Sequence, residues 1–203
     1  MKTVRKPTGG MRKAVQADRE LEEEVKRREV TVFSAAVLAM HRYYGWTRAQ
    51  LLEMLEHCAV ICKDCSSTNQ LSLIQMLDEE TGVELQIGDG RSWKELAYLN
   101  ASLVPGTRMT TSQWIYMRKR QMKWVGPQLM ACILLGLHRA RGYAFRSLNR
   151  IYQQISGIEA EYGYDRNALH AACMEETGIS AVEYVNDRVD ALRKEGEDDG
   201  QIS

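Results

Sequence analysis

The chain has 203 residues, 44% of them hydrophobic, which is enough for one large domain or two small ones with a real core. Basic and acidic residues number 27 each, so no global field favours nucleic acid. No apolar run reaches the roughly 18 residues that span a bilayer, and no apolar segment follows the basic N-terminus as in a signal peptide. Without a secretion signal, the five cysteines predict free thiols in a reducing cytoplasm.

Both ends of the chain are predicted to lie outside the folded core. Residues 1–16 carry five basic residues and no acid. Pro7 and the Gly9-Gly10 pair break a helix, so we predict a flexible basic arm. Residues 194–203 turn acidic and are predicted to form a frayed tail.

Between the ends, apolar residues recur at helical spacing and predict an all-α fold. A long helix is expected from about Asp18 to a glycine stop at Gly45. Capping boxes then start three further helices, the second of which stops at Gly82. These boxes are Thr47-x-x-Gln50, Ser67-x-x-Gln70 and Ser92-x-x-Glu95.

The second half of the chain repeats the plan of the first. The segment around His41 matches that around His138, at an offset of 138 − 41 = 97 residues, and Glu79–Gly82 matches Glu175–Gly178 at 175 − 79 = 96. A capping box at Ser180-x-x-Glu183 follows in the second half. We therefore predict two diverged copies of a three- to four-helix unit, at 17–104 and 105–193. Such short helices bury little alone, so the copies are expected to pack on each other or on a second chain as a homodimer.

A histidine and three cysteines form the first candidate for a metal site. His57, Cys58, Cys62 and Cys65 include a C-x-x-C pair, whereas structural zinc usually takes two such pairs or a distant histidine pair. The cysteines also follow the i, i+4, i+7 stripe of a core-facing helix, and the matching stretch near 153–160 has none. We favour core packing and predict no metal or cofactor.

Two repeated charged pairs are the next candidates. The pairs at His41-Arg42 and His138-Arg139 have no nucleophile or acid at a diagnostic spacing, and basic groups at a helix C-terminus complement its dipole. Glu79-Glu80 and Glu175-Glu176 oppose that dipole, so we expect each to pair with the His-Arg of its own unit. With the acids of Glu20–Glu24, they also fit a Mg²⁺ site like that of all-helical nucleotide pyrophosphatases, although a solvated face explains them better.

A basic and aromatic segment breaks the symmetry between the copies. A capping box at Thr110-x-x-Gln113 starts its helix, and Gly126-Pro127 is expected to end it. Its aromatic and basic residues suit a nucleic-acid backbone or an acidic protein surface. Alternatively, the tryptophans plug the junction between copies while the basic residues are solvated. The candidate binding residues are Arg108, Trp114, Tyr116, Arg118, Lys119, Arg120, Lys123 and Trp124.

The repeated unit, a helix ending in His-Arg and a Gly-aromatic pair and followed by Glu-Glu-Thr-Gly, resembles small helical proteins of phages and prophages of Firmicutes. The resemblance covers about residues 30–86 and 126–184. Some such proteins antagonise host immunity, including type II anti-CRISPR proteins that bind Cas9. No residue-specific role carries over, and the duplication departs from the common single-unit form.

This resemblance implies a non-enzymatic inhibitor in the host bacterial cytoplasm that binds a protein–nucleic-acid machine, most concretely Cas9 with its guide RNA. It would use the basic-aromatic face, or the acidic helix as a mimic of DNA phosphates. The first alternative is a phage DNA-binding or regulatory protein that contacts DNA or RNA directly. The second is a metal-dependent nucleotide hydrolase.

Overall fold

The computed structural model describes residues 9–64, 72–86, 92–94 and 110–199, without the side chains at 64, 72 and 196–199. Within these ranges the chain forms seven helices and no strand, which confirms the predicted all-α class. The helices are α1 (Gly9–Tyr44), α2 (Arg48–Asp64), α3 (Ser72–Thr81), α4 (Thr111–Arg141), α5 (Phe145–Glu161), α6 (Arg166–Thr177) and α7 (Ala181–Asp199).

The predicted glycine stops lie where the helices end. Gly45, Gly82, Gly142 and Gly178 follow α1, α3, α4 and α6, and their φ angles are 64°, 74°, 66° and 66°. Only glycine adopts this left-handed conformation without steric cost, so it terminates a helix cleanly. The capping box predicted at Thr110 is formed in both directions. The boxes predicted at Ser67 and at Ser92 fall wholly or partly outside the described residues.

Both predicted ends are helical where the structure describes them. Helix α1 begins at Gly9 rather than near Asp18, so the predicted arm is helical over 9–16, while residues 1–8 lie outside the described part. A glycine pair in the first turn interrupts few intrahelical bonds, and good helix formers follow it. The predicted tail is likewise helical through Asp199.

Pro127 lies inside α4 and does not end it, so this predicted boundary is wrong. A proline in a helix interior removes a hydrogen bond and costs about 3 kcal/mol. Burial on both sides offsets that cost, since Val125 and Met130 are 7% and 4% exposed. The helix therefore continues through Pro127 because tertiary packing on both sides of the proline stabilises it.

Helices α1 and α4 lie side by side and run parallel. Gly10 of α1 faces Thr111 of α4, and the Asp18 carboxylate lies 2.6 Å from Arg118 Nε. Just past their C-termini, the rings of Trp46 and Tyr143 stack with centroids 6.4 Å apart. The offset between neighbours falls from 111 − 10 = 101 residues at the N-terminal end to 143 − 46 = 97 just past the C-termini.

One contiguous core surrounds this parallel pair. The buried segments Val32–Met40 of α1 and Met130–Leu137 of α4 form its centre. Helices α5 and α6 of the second unit pack on α1, whereas α2 and α3 of the first unit pack on α4, and α7 packs on α2. Each unit therefore supplies helices to the first helix of the other.

This exchange overturns the predicted pairing within each unit. Arg42 donates to Glu176, with Nε 2.9 Å from Oε2, and Arg139 donates to Glu80, with Nη2 2.6 Å from Oε1. Both ion pairs cross between the units because α6 lies on α1 and α3 lies on α4. Glu176 holds the Arg42 pKa above its usual value, and Arg42 lowers the pKa of Glu176. The crossed pairs fit a duplication, which stays a prediction from the sequence.

The crossed pairing predicts which double mutants will couple. In a cycle of Arg42→Ala and Glu176→Ala, we expect a coupling free energy of about 0.5–1 kcal/mol, because the pair is only partly shielded from solvent. The matched control cycle combines Arg42→Ala with Glu80→Ala and should show no coupling. Urea unfolding measures both. Coupling in the control cycle and none in the first would restore the pairing within units.

Two helical glycines with different surroundings are predicted to change stability in opposite directions when replaced by alanine. A Cβ added at Gly136 would lie 3.0 Å from Cys58 Sγ, in the fully buried core. We expect Gly136→Ala to lower the free energy of unfolding by about 1–2 kcal/mol through overpacking. Gly157 in α5 has nothing within 4 Å. Gly157→Ala should raise the free energy of unfolding by about 0.5–1 kcal/mol, because alanine has a higher helix propensity than glycine. Equal changes in the free energy of unfolding for the two variants, measured by denaturant titration, would show that Gly136 does not pack tightly against Cys58.

Candidate functional site

The two tryptophans of the basic-aromatic segment pack against other parts of the protein. Trp124 is 4% exposed and belongs to the core. Trp114 is half-buried, and the Arg118 guanidinium carbon lies 4.1 Å from its ring centroid. Both side chains donate to the carboxylate of Asp18 on α1. These contacts favour the junction interpretation for the two tryptophans.

The rest of the segment leaves a small exposed face. The guanidinium of Arg120 packs 5.0 Å from the Trp124 ring centroid. Tyr116, Lys119 and Lys123 are exposed at i, i+3 and i+7, so they share one side of α4. Arg108 lies outside the described residues. Seven of the eight candidates are thus placed, and three of them form a continuous exposed face.

The two repeated histidines have structural roles. His41 Nδ1 lies 3.2 Å from the Trp46 carbonyl oxygen, and His138 Nδ1 lies 2.8 Å from that of Tyr143. Each imidazole donates to the turn that follows its helix, which fixes the turn. This arrangement supports the structural interpretation over a general base.

A second basic surface, which we call the arginine-rich end, lies where α1 and α4 terminate together. Segments 41–50 and 138–150 meet there at the stacked rings of Trp46 and Tyr143. Neither segment contains an acid. This surface was not predicted from the sequence, although the absence of acids from both segments was a usable signal. The arginine-rich end comprises Arg42, Arg48, Arg139, Arg141, Arg146 and Arg150.

Three of the six arginines pair with acids and three do not. Arg42 and Arg139 hold the crossed ion pairs, and Arg141 pairs with Glu53. The other three, Arg48, Arg146 and Arg150, are exposed and form no ion pair with a described residue. Two large aromatic side chains on the same turns are also exposed, Tyr43 by 54% and Phe145 by 48%.

The cysteines pack in the core, as favoured from the sequence. Cys58 and Cys132 are fully buried, and Cys62 Sγ lies 3.5 Å from Cys132 Sγ across the α2–α4 contact. Contact with Cys132 and burial raise the pKa of the Cys62 thiol far above its usual value, so it stays protonated. Cys65 lies outside the described residues, and within them no group of three His, Cys, Asp or Glu side chains is placed to hold a metal ion.

A cavity of about 460 Å³ opens between α1, α4 and α5. Its walls combine apolar side chains with polar groups from α1 and α5. Glu159 lines it, is 6% exposed, and its Oε1 has no hydrogen-bond partner among the described residues. Burial raises the pKa of Glu159, and the positive charges of Arg28 and Arg27 oppose that rise.

A smaller cavity of about 430 Å³ occupies the corresponding place in the other half of the protein. Val32, Met130 and Glu159 of the first cavity correspond, at the 97-residue offset, to Leu129, Phe33 and Cys62 of the second. The two cavities thus repeat one architecture with different polar groups.

A scan of family models and searches of curated proteins and solved structures find no match to this chain. None of the described helices is both long and apolar enough to cross a membrane.

The raised pKa of Glu159 makes a pH-dependent prediction. The folded state binds this proton more tightly than the unfolded chain does, so Glu159 destabilises the fold increasingly as pH rises above about 4.3. We expect Glu159→Met to raise the free energy of unfolding at pH 7 by about 1–3 kcal/mol, because it removes a buried carboxyl with an unpaired oxygen.

Urea unfolding of the variant and the wild type between pH 4 and pH 8 measures this difference. The advantage of Glu159→Met should shrink towards pH 4, because the carboxyl becomes increasingly protonated in the unfolded chain as well as in the folded protein. Glu22→Met is the control, because it makes the same exchange on the exposed face of α1, away from the cavity. A variant less stable than the wild type at pH 7 would mean that Arg27 and Arg28 already stabilise the carboxylate.

Proposed function

We propose that this protein acts without catalysis, by binding the phosphate backbone of a nucleic acid or of a protein–nucleic-acid machine through its arginine-rich end. The proposal depends on Arg48, Arg146 and Arg150, which form no ion pair with a residue in the described part of the chain. Arginine forms bidentate hydrogen bonds with phosphate and stacks on bases, and exposed aromatic side chains add stacking surfaces. Tyr43 and Phe145 supply such surfaces on the same turns.

The positions of the unpaired arginines support binding rather than stability. Basic residues in the last turns of α1 and α4 complement two parallel helix dipoles. Arg48 and Arg146 instead lie in the first turns of α2 and α5, where the dipole repels a cation. Residues that oppose the local dipole and have no described acid as a partner suit an external anion.

The start of α5 adds an anion-binding feature to this surface. Ala144 is its N-cap residue and provides no side-chain hydrogen bond to the first turn. Free N–H groups at a helix start, together with a nearby cation, attract phosphate. Arg146 and Arg150 lie on the first two turns of the same helix. A phosphate there would meet backbone donors and guanidinium groups together.

Zero net charge does not weaken this proposal. Salt screens charges beyond about 8 Å at physiological ionic strength, so a partner senses the local surface and not the whole chain. The most concrete partner, from the phage resemblance, is Cas9 with its guide RNA, which the protein would inhibit. The runner-up is direct DNA or RNA binding by a phage regulatory protein, which the same surface also supports.

Fluorescence anisotropy with a labelled 20-mer single strand, its RNA equivalent and a 20-bp duplex tests the surface. Three phosphate contacts on a duplex predict a slope of about −2 to −3 for log K against log salt. The triple variant Arg48→Glu, Arg146→Glu, Arg150→Glu should weaken binding at least tenfold. The control on the exposed face of α4, Tyr116→Ala with Lys119→Glu, should change the affinity less than threefold. A larger loss in the control would move the interface to the basic-aromatic face.

A cleavage assay then separates the two candidate functions. A Cas9–guide complex cleaves target DNA with increasing amounts of this protein, for several Cas9 orthologues. Inhibition below the concentration at which the protein binds naked DNA, and its loss in the triple variant, would support the inhibitor. Binding to naked nucleic acid without inhibition would support the regulatory protein. The absence of both nucleic-acid binding and Cas9 inhibition would refute the proposed function.

A further inference from the structure

The cavity between α1, α4 and α5 is separate from the arginine-rich end and has its own chemistry. We propose that it binds a nucleotide, with an N–H donor of the base on Glu159 and the phosphate beside Lys123. This inference does not depend on the proposed function, because none of the residues that line the cavity belongs to the arginine-rich end.

The carboxyl of Glu159 is the feature that calls for a ligand. A buried oxygen without a partner costs about 1–3 kcal/mol, and such groups are rare in native proteins unless something else binds them. Glu159 Oε1 is buried on the cavity wall and has no described partner. A hydrogen-bond donor placed in the cavity would satisfy it.

The surrounding charges select a neutral donor. Arg28 lines the cavity with Glu159, and both Arg27 and Arg28 act on that carboxyl electrostatically. Glu24 is already held by both arginines, with Arg28 Nε 3.0 Å from its Oε1. An amine or a metal ion on Glu159 would face these guanidinium groups. The N–H of a nucleobase is uncharged, so it can approach Glu159 without that repulsion.

The walls and the size suit a flat base with an anionic group attached. Apolar side chains line much of the cavity: Val32, Leu85, Met122, Pro127 and Met130. Its volume of about 460 Å³ falls within the usual range for small-molecule sites. Lys123 is exposed and also lines the cavity, which places an ammonium group where a phosphate would leave the protein.

The fold itself does not require these polar groups. At the 97-residue offset, Glu159 corresponds to Cys62, while Ser156, Tyr152 and Arg28 correspond to alanine, leucine and valine at positions 59, 55 and 125. The corresponding positions lie on α2 and α4, which form the matching half of the architecture. Equivalent helices therefore pack without a carboxyl, hydroxyls or guanidinium there. The polar set is a property of this cavity alone.

Isothermal titration calorimetry of the full chain with GMP, AMP, CMP and UMP, and with the four corresponding nucleosides, tests the proposal. We expect at least one nucleotide to bind with a Kd below about 1 mM, and its nucleoside to bind at least fivefold more weakly. Glu159→Met should weaken binding at least tenfold, and Lys123→Ala at least fivefold. The matched control, Glu29→Met, makes the same exchange in the smaller cavity and should leave the Kd within twofold of the wild type.

Failure of this proposal is distinguishable from failure of the proposed function. If no nucleotide binds, or if Glu159→Met and Glu29→Met bind as the wild type does, the cavity is not a nucleotide site. The triple variant of the arginine-rich end should retain mononucleotide binding. Thermal denaturation of each variant checks the fold, so a loss of binding is scored only in a folded protein.

The bound nucleotide is either free or part of a nucleic-acid strand, and one further titration, with a single-stranded octamer, distinguishes the two. A single-stranded octamer that binds no more tightly than the mononucleotide assigns the site to a free nucleotide. An octamer that binds more tightly, and that also loses at least tenfold in Glu159→Met, assigns it to a nucleotide within a strand. An octamer whose affinity is independent of Glu159 does not use the cavity, and the mononucleotide result alone then decides the proposal.

Discussion

The parallel packing of α1 on α4 is the constraint on which the rest of the structure depends. Val32–Met40 and Met130–Leu137 bury almost all of their side-chain surface, and every other described helix except α7 packs mainly against one member of this pair. A parallel pair requires the chain between 45 and 110 to return to the starting end. Consequently both C-termini lie together, and the turns that follow them form one surface.

The same packing explains why the ion pairs cross between the units. Helix α6 lies on α1 and α3 lies on α4, so neither half of the sequence encloses its own first helix. The stacked rings of Trp46 and Tyr143 join the two turns at matching positions. Two copies of the predicted unit arranged in this way would resemble a homodimer with exchanged helices, fused into one chain.

Local signals predicted local structure well and tertiary contacts poorly. The stops at Gly45, Gly82 and Gly178 depend on one residue's backbone freedom, so they could be predicted from the sequence. The passage of α4 through Pro127 depends on burial supplied by distant helices, which a local pattern does not contain. Likewise, the basic-aromatic spacing could not tell that Trp124 faces inwards. The arginine-rich end was missed because its two segments are about 97 residues apart in sequence.

Stability and the candidate sites come from different parts of the molecule. The apolar segments of α1 and α4 form the centre of the core. Arginines that pair with no described acid can therefore lie at the starts of α2 and α5, and a buried carboxyl can lie on α5 beside the pair. Each of these features opposes folding, through the helix dipole at Arg48 and Arg146 and through desolvation at Glu159. At the 97-residue offset, Arg48 corresponds to Phe145 and Glu159 corresponds to Cys62. These groups cost stability, and for that reason they are the ones for which we propose external ligands.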